Sequence, residues 1–319
     1  MLSATLATAI TQITQSVICH SAPVGGGDIS QAARLTLDDG RLLLVKYRQP
    51  SINGMFTAEA NGLALLRASQ TLRIPQLWGY AEAVPPCPAF ILMEWLGRGP
   101  STPVIATELG RGLAAMHATP SPQPSPKGRG GTLKLPLPGG EGRGEGWGEG
   151  AFYGLDHDNF IGANPQPNHP CNNWVDFFRE QRLGYQMELA RQRGYLSAKR
   201  GQSLETLLAN LGNWLPAQPP VSLLHGDLWG GNWLVTDMGE AALIDPAVYY
   251  GDREAELAFT ELFGGFPSQF YAAYNEVWPL ESGYGERKEL YNLYHLLNHL
   301  NLFGESYGGS VDAILRKFS

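Results

Sequence analysis

The stretch Leu223-Leu224-His225-Gly226-Asp227-Leu228-Trp229-Gly230-Gly231-Asn232-Trp233-Leu234-Val235, followed by Ala241-Ala242-Leu243-Ile244-Asp245-Pro246, decides how this chain is read. Apolar runs flank a short polar turn in which Asp227 and Asn232 stand in D-x-x-x-x-N spacing. At that spacing an Asp can accept or orient the proton of a substrate hydroxyl, while the Asn turns back toward a magnesium ion, as in phosphoryl-transfer loops. Asp245 ends a second short strand. A hairpin through residues 236–240 would return its carboxylate beside Asn232, and hard oxygen ligands on facing loops suit magnesium. The plainer alternative is an Asx-bonded turn and a strand that merely ends at Asp245-Pro246. Three polar groups at these spacings between apolar strands favour the chemical reading.

Working back toward the N-terminus, residues 31–37 and 41–47 are β-rich runs joined by Asp38-Asp39-Gly40, a hairpin signal. Lys46 lies in Leu42-Leu43-Leu44-Val45-Lys46-Tyr47, where apolar neighbours leave its ammonium in need of an anionic partner. Residues 56–69 read as a helix, and on it Glu59 falls among Phe56, Leu63 and Leu66, a carboxylate on an apolar face. Each misplaced charge explains the other, and a strand Lys held by a helix Glu is a phosphate-positioning arrangement. The alternative is a Lys that snorkels from an edge strand and a Glu at the helix margin. Gly25-Gly26-Gly27-Asp28-Ile29-Ser30 lacks the G-K-[ST] ending of a Walker loop, yet it sits just ahead of the Lys46 hairpin, where free N–H groups could cover phosphates. Residues 89–93 form a short apolar strand ending at Glu94-Trp95-Leu96, whose backbone would meet an adenine edge.

Helical patterns dominate the remainder, over residues 103–118, 174–194, 199–214, 253–263, 267–277 and 286–303. The expected architecture is therefore α+β and two-lobed. Residues 1–96 form a small β-rich nucleotide-binding lobe, and 97–319 a larger helical lobe for catalysis and substrate, with the active site in the cleft. Residues 121–150 hold ten Gly and five Pro, with few large apolar groups, and read as an exposed insert that cannot make a core. Across all 319 residues the chain is 43% hydrophobic and 17% charged, with a net charge of −7, which suits a folded protein and disfavours a phosphate-backbone partner. Three cysteines without C-x-x-C spacing argue against a disulfide framework or zinc site. No apolar run approaches a membrane span, so a cytoplasmic protein with neither nucleic-acid nor membrane partner is expected. His295 and His299 have i, i+4 spacing but lack the Glu of H-E-x-x-H, and read as core or cleft-lining residues.

With these residues assembled, the chain resembles the fructosamine (ketosamine-3-) kinase family, within the aminoglycoside-phosphotransferase and protein-kinase-like superfamily. Besides His225 to Asn232, the resemblance rests on Gly25-Gly26-Gly27-Asp28-Ile29, Phe56-Thr57-Ala58-Glu59-Ala60 and Phe178-Arg179-Glu180-Gln181-Arg182-Leu183. It continues through Asp245-Pro246-Ala247-Val248-Tyr249-Tyr250-Gly251-Asp252-Arg253-Glu254. It implies a protein-kinase-like fold and transfer of phosphate from ATP, with Mg2+, to the 3-hydroxyl of a ketosamine carried on a free or protein-bound amine. The product then decomposes and frees the amine, a protein-deglycation repair. By position, the resemblance makes Asp227 the base and Asn232 and Asp245 the magnesium ligands. It makes Lys46 and Glu59 the phosphate-positioning pair and Trp229 the wall of the sugar pocket. Gly25, Gly26, Gly27, Asp28, Glu94 and Leu96 are the expected nucleotide contacts, His295 is expected at the substrate, and a monomer is expected. Asp28 stands where many relatives carry a cysteine, and the 121–150 insert is not part of the usual pattern. The same loop also suits another small-molecule kinase, such as one acting on choline or an aminoglycoside, or a non-catalytic ATP-binding protein on this scaffold.

Overall fold

In a computed structural model, residues 2–25, 29–119 and 152–318 are described; Gly26, Gly27, Asp28 and the expected insert lie outside them. The chain opens with helix α1 (Ala4–Thr14), capped by the Ser3 hydroxyl, which accepts from the Leu6 N–H. Strands β1 (Ile18–Val24), β2 (Gln31–Leu37) and β3 (Leu42–Arg48) follow, then helix α2 (Met55–Ala68) and strands β4 (Leu77–Ala81) and β5 (Ala89–Glu94). They form one antiparallel sheet in the order β1-β2-β3-β5-β4. The expected β2–β3 hairpin turns at Gly40, whose φ of +84° is the left-handed backbone such a tight turn needs.

Period-2 alternation divides the side chains of this sheet between two helices. Leu35, Leu43, Val45, Phe90 and Leu92 pack with Leu6 and Ile10 of α1. Ile91 and Met93 face the other way and pack with Phe56, Leu63 and Leu66 of α2. Lys46 pairs with Ile91 in register, so its side chain points to the α2 side, where Glu59 waits.

Beyond the sheet come α3 (Pro103–His117), the small hairpin β6 (Asn159–Ile161) and β7 (Asn164–Gln166), and α4 (Trp174–Phe177). Alpha4 runs through wide π-type turns at Phe178–Gly184 into α5 (Tyr185–Gln192). Alpha6 (Ala198–Asn210) and four short strands follow: β8 (Val221–Leu224), β9 (Trp233–Val235), β10 (Ala241–Leu243) and β11 (Tyr249–Asp252). The chain closes with α7 (Arg253–Leu262), α8 (Ser268–Val277), α9 (Tyr284–Phe303) and α10 (Gly308–Phe318). Beta9 pairs β10 and β11 pairs β8, both antiparallel, so two miniature hairpins carry the polar loops of the quoted stretch.

The two parts share a core. One apolar cluster runs from Phe56, Leu63 and Met93 through Leu109 and Leu113 of α3 to Leu223, Leu228 and Leu243. Backbone bonds stitch the same boundary: Gly99 N–H to Val235 O at 2.9 Å, Asp237 N–H to Gly97 O at 2.9 Å, and Leu243 N–H to Arg73 O at 2.9 Å. Among the described residues no helix is long and apolar enough to cross a membrane.

Candidate active site

The cleft beside this stitched boundary gathers the polar residues of β3, α2 and the two miniature hairpins. Beta8 delivers His225-Gly226-Asp227 at its C-terminal end. Gly226 has a φ of +83°, and a Cβ there would lie 2.0 Å from Ala247 O, so only glycine lets the turn close against the 245–247 segment. His225 ties the two loops together. Its Nε2–H donates to Ile244 O at 2.8 Å, its carbonyl accepts from the Ala247 N–H at 2.8 Å, and its Nδ1 accepts from the Asp227 N–H at 3.3 Å. That tautomer is neutral, and burial holds the imidazole below its ordinary pKa.

Asn232 is held by its own amide. Its Nδ2 donates to Asp227 O at 2.8 Å and to Asp227 Oδ2 at 3.0 Å, while the Ile244 N–H donates to Asn232 O at 3.0 Å. Spending Nδ2 in this way leaves Oδ1 as the atom able to meet a cation. Asp245 sits in left-handed backbone, φ +58°, which costs a non-glycine residue about 1–3 kcal/mol and marks a position over-determined by its surroundings. Its side chain is 41% exposed and accepts from Lys46 Nζ. Lys46 also donates to Glu59 Oε1 at 2.7 Å, and both of those side chains are nearly enclosed. Burial works against the ammonium, but the carboxylates of Asp245 and Glu59 outweigh it and hold the Lys46 pKa above its ordinary value. Burial and then the neighbouring Asp245 carboxylate push Asp227 well above the usual carboxylate range.

Five expected residues, Asp227, Asn232, Asp245, Lys46 and Glu59, therefore form one connected polar cluster between the sheet and the hairpin loops. Among the described residues no group of three or more His, Cys, Asp and Glu is arranged to enclose a metal. The Asp245 carboxylate and the Asn232 amide oxygen instead fit a magnesium ion that keeps water and phosphate oxygens as its other ligands.

The other expected residues are placed as follows. At the sheet edge the Glu94 carboxylate is engaged by Arg73 and by the Gln76 N–H at 3.1 Å, so Glu94 has only backbone to offer a ligand. The Trp95 N–H is used on Leu42 O at 3.1 Å, whereas the Leu96 N–H has no acceptor among the described residues. Gly25 lies in open space, and Gly26, Gly27 and Asp28 fall outside the described residues. Trp229 is exposed beside Asp227, with its ring folded over Gly231. His295 does not line the open cleft as expected. It points inward from α9 under the Gly226–Leu228 turn, buried and stacked face to face on Phe259 with ring centroids 3.5 Å apart. The helical period explains the correction: position 295 faces α7, and the ring one turn on, His299, is the less buried of the pair.

Sequence reasoning missed the group that holds the Asp227 turn from below. Glu256 of α7 is buried, and its Oε1 accepts from the Gly226 N–H at 2.7 Å. Its Oε2 accepts from the His225 N–H at 3.2 Å and from His117 Nε2 at 2.8 Å. His117, at the end of α3, in turn accepts from the Tyr274 hydroxyl at 2.8 Å, and Arg253 donates to that hydroxyl at 3.3 Å. Burial alone would raise Glu256, but the His117 hydrogen bond, the nearby imidazoles and the Gly226 N–H together hold it below the ordinary range. The signal in the sequence was weak: of the residues one helical turn from Glu256, Phe259 is apolar, but Arg253 and Thr260 are polar.

Comparison with known proteins places the chain in one family. The fructosamine kinase family model aligns with residues 1–126 and 143–319, passing over the middle of the insert. A protein of Synechocystis named "Probable ketoamine kinase" is 38% identical over 294 residues, 92% of this chain and 88% of that one. The chloroplastic protein-ribulosamine 3-kinase of Arabidopsis thaliana is 36% identical over 294 residues, 92% of this chain and 80% of that one. A Thermobifida fusca protein solved under the name fructosamine-3-kinase superposes with a TM-score of 0.80 at 32% identity, covering 98% of this chain and 97% of that one. A macrolide 2'-phosphotransferase, at TM-score 0.55 and 15% identity, shares the kinase-like fold. The chain is a phosphotransferase of kinase-like fold and belongs to the fructosamine kinase family.

Proposed function

We propose that this chain uses ATP and Mg2+ to phosphorylate the 3-hydroxyl of ketosamines, the fructosamine, ribulosamine or erythrulosamine adducts of amines. The observation that carries the reading is the connected cluster in which Lys46 reaches both Glu59 and Asp245, while Asn232 is bonded to Asp227. In this reading residues 1–96 are the nucleotide lobe and 97–319 the catalytic and substrate lobe. Lys46, steadied by Glu59, binds the α- and β-phosphates. Gly25 to Asp28 cover the phosphates, and the backbone at Glu94 and Leu96 meets the adenine edge. Asn232 and Asp245 hold the magnesium, which when bound neutralises charge on the transferring phosphate. Asp227 orients the acceptor hydroxyl and takes its proton as the hydroxyl oxygen bonds to the γ-phosphorus. The bond from that phosphorus to the β-γ bridging oxygen breaks, and ADP leaves. Trp229 packs its ring on the sugar's carbon skeleton.

The test is an ATP-consumption assay, with and without Mg2+, on the fructose, ribulose and erythrulose adducts of lysine, with the phosphorylated carbon read by NMR. Metal-dependent 3-phosphorylation is the expected result. Turnover of choline or an aminoglycoside with none of the three adducts would overturn the substrate assignment.

A further inference from the structure

Next to the acceptor side of the Asp227 loop lies a group of partly exposed aromatic residues, of which the proposed chemistry uses only Trp229. Trp229, Phe263 and Phe303 are 41%, 43% and 45% exposed, the most exposed Trp, Tyr and Phe residues among those described. The loops beside Trp229 and Phe263 touch: Gly230, which follows Trp229, packs against the turn Gly264-Gly265, which follows Phe263. His299 sits at the centre of the outer part of the group. Its ring centroid lies 5.1 Å from Phe263, 5.5 Å from Phe303 and 5.0 Å from Tyr307. His299 Nδ1–H donates to His295 O at 2.7 Å, so Nε2 is a lone-pair acceptor, and it has no donor among the described residues. Burial favours the uncharged imidazole, which leaves no positive charge among these rings.

Ring faces around a neutral nitrogen acceptor suit one kind of ligand, an organic cation that also carries an N–H. Solvent-exposed aromatic groups gathered in one patch beside a site are seldom idle. Building on the ketosamine reading, we infer that Trp229, Phe263, His299, Phe303 and Tyr307 form a subsite for the protonated secondary amine of the acceptor and the alkyl arm beyond it. The sugar lies against Asp227 and Trp229, and the ammonium, one carbon from the sugar's carbonyl, falls toward Phe263 and His299. Selection then acts on the charge of the linking nitrogen as well as on the sugar. A neutral amide at that position loses the attraction to the rings and presents a carbonyl oxygen to the Nε2 lone pair.

The experiment compares binding of the fructose adduct of propylamine, a secondary ammonium, with its N-acetylated counterpart, which keeps the sugar and arm but is uncharged. Calorimetry on the full chain reads binding whether or not turnover occurs. The wild type should prefer the cationic adduct by about five- to thirtyfold, the range for one or two cation–π contacts. Phe263→Ala and Phe303→Ala should each cut that preference several-fold, and Phe263→Leu and Phe303→Leu, which retain apolar area without the ring, should cut it as much. Melting temperature serves as the folding control. Equal binding of the two adducts by wild type, or a preference that survives the Leu variants, overturns the subsite. A charge preference of the expected kind without phosphorylation of any ketosamine would instead overturn the proposed function and leave the subsite standing.

Discussion

Replacing Glu256 with glutamine tests whether the Asp227 turn is held from beneath. The carboxylate accepts three N–H groups, from His225, Gly226 and His117, in a buried setting. Glutamine keeps one oxygen and puts an NH2 where the other stood. If that NH2 faces His117, the imidazole can change tautomer and accept, since its other nitrogen meets a hydroxyl able to turn around. The His225 N–H has no such freedom. One backbone donor is left facing a donor, at about 1–3 kcal/mol, and the remaining bonds lose their charge assistance, a further 1–2 kcal/mol or so. A total of about 2–5 kcal/mol should lower the melting temperature by roughly 4–10 °C in a chain of this size. Because the freed turn carries Asp227, turnover should fall by about two decades, the scale of a 1 Å misplacement of a reacting group. ATP affinity should change little, since Lys46 and Leu96 lie on other elements. Melting curves and steady-state kinetics on a ketosamine are the assays. A glutamine variant that matched wild type in both would refute the view that this carboxylate positions the turn.

Other expected outcomes follow from the same geometry. Asp227→Asn should cut kcat by about two or more decades with ATP binding nearly intact, and near-normal turnover would remove Asp227 from the role of base. Lys46→Met should lose about a hundredfold in turnover, and Glu59→Ala less, because the ammonium still has Asp245; an unaffected Glu59→Ala would show that the second carboxylate suffices. His225, His295 and His299 all sit below the ordinary imidazole value in the fold, so the unfolded chain takes up protons first. The stability of their neutral forms is present above about pH 6.5 and is lost as pH falls toward their folded values, so the melting temperature should drop between pH 7.5 and 5.5, and a flat profile would contradict it. Deleting residues 121–150, which lie outside the described residues and part of which the family model passes over, should leave melting temperature and turnover near wild type, since closure entropy changes only about 0.6 kcal/mol per doubling of loop length. A large loss of either would mean that the segment contributes to the fold or the site.

How much of this was legible in the sequence depends on how local each signal is. The β2–β3 hairpin, α2, β5, α3 and the α7 to α9 helices follow from turn residues and hydrophobic period within one short window. Alpha1 was not read, because Ala4–Thr14 buries chiefly Leu6 and Ile10 among threonines and looks polar until the sheet is placed against it. Strands β6, β7 and β11 are three or four residues long, too short for any alternation to show. Alpha10 buries Val311, Ile314 and Leu315 at plain helical spacing, a signal present in the sequence although the expected helices end at residue 303.

The same distinction separates the chemistry of the site from its support. Lys46, Glu59, Asp227 and Asp245 each announced themselves as charges inside apolar runs, so their meeting could be expected even though Lys46 and Asp245 are 199 positions apart. His117 and Glu256 are 139 positions apart and sit in helices that look like ordinary core. Glu256, one turn from Arg253 and Thr260, was less conspicuous than Glu59, and a buried carboxylate states only that it needs donors and not which ones. Here two of its three donors are backbone N–H groups of the catalytic turn, and backbone leaves no mark in side-chain patterning. What a sequence can reveal of such a site is thus the set of groups whose charge lacks an explanation. The partners become readable only where they are charged as well, as Lys46 is for Glu59, and stay hidden where they are peptide groups presented by a turn like Gly226.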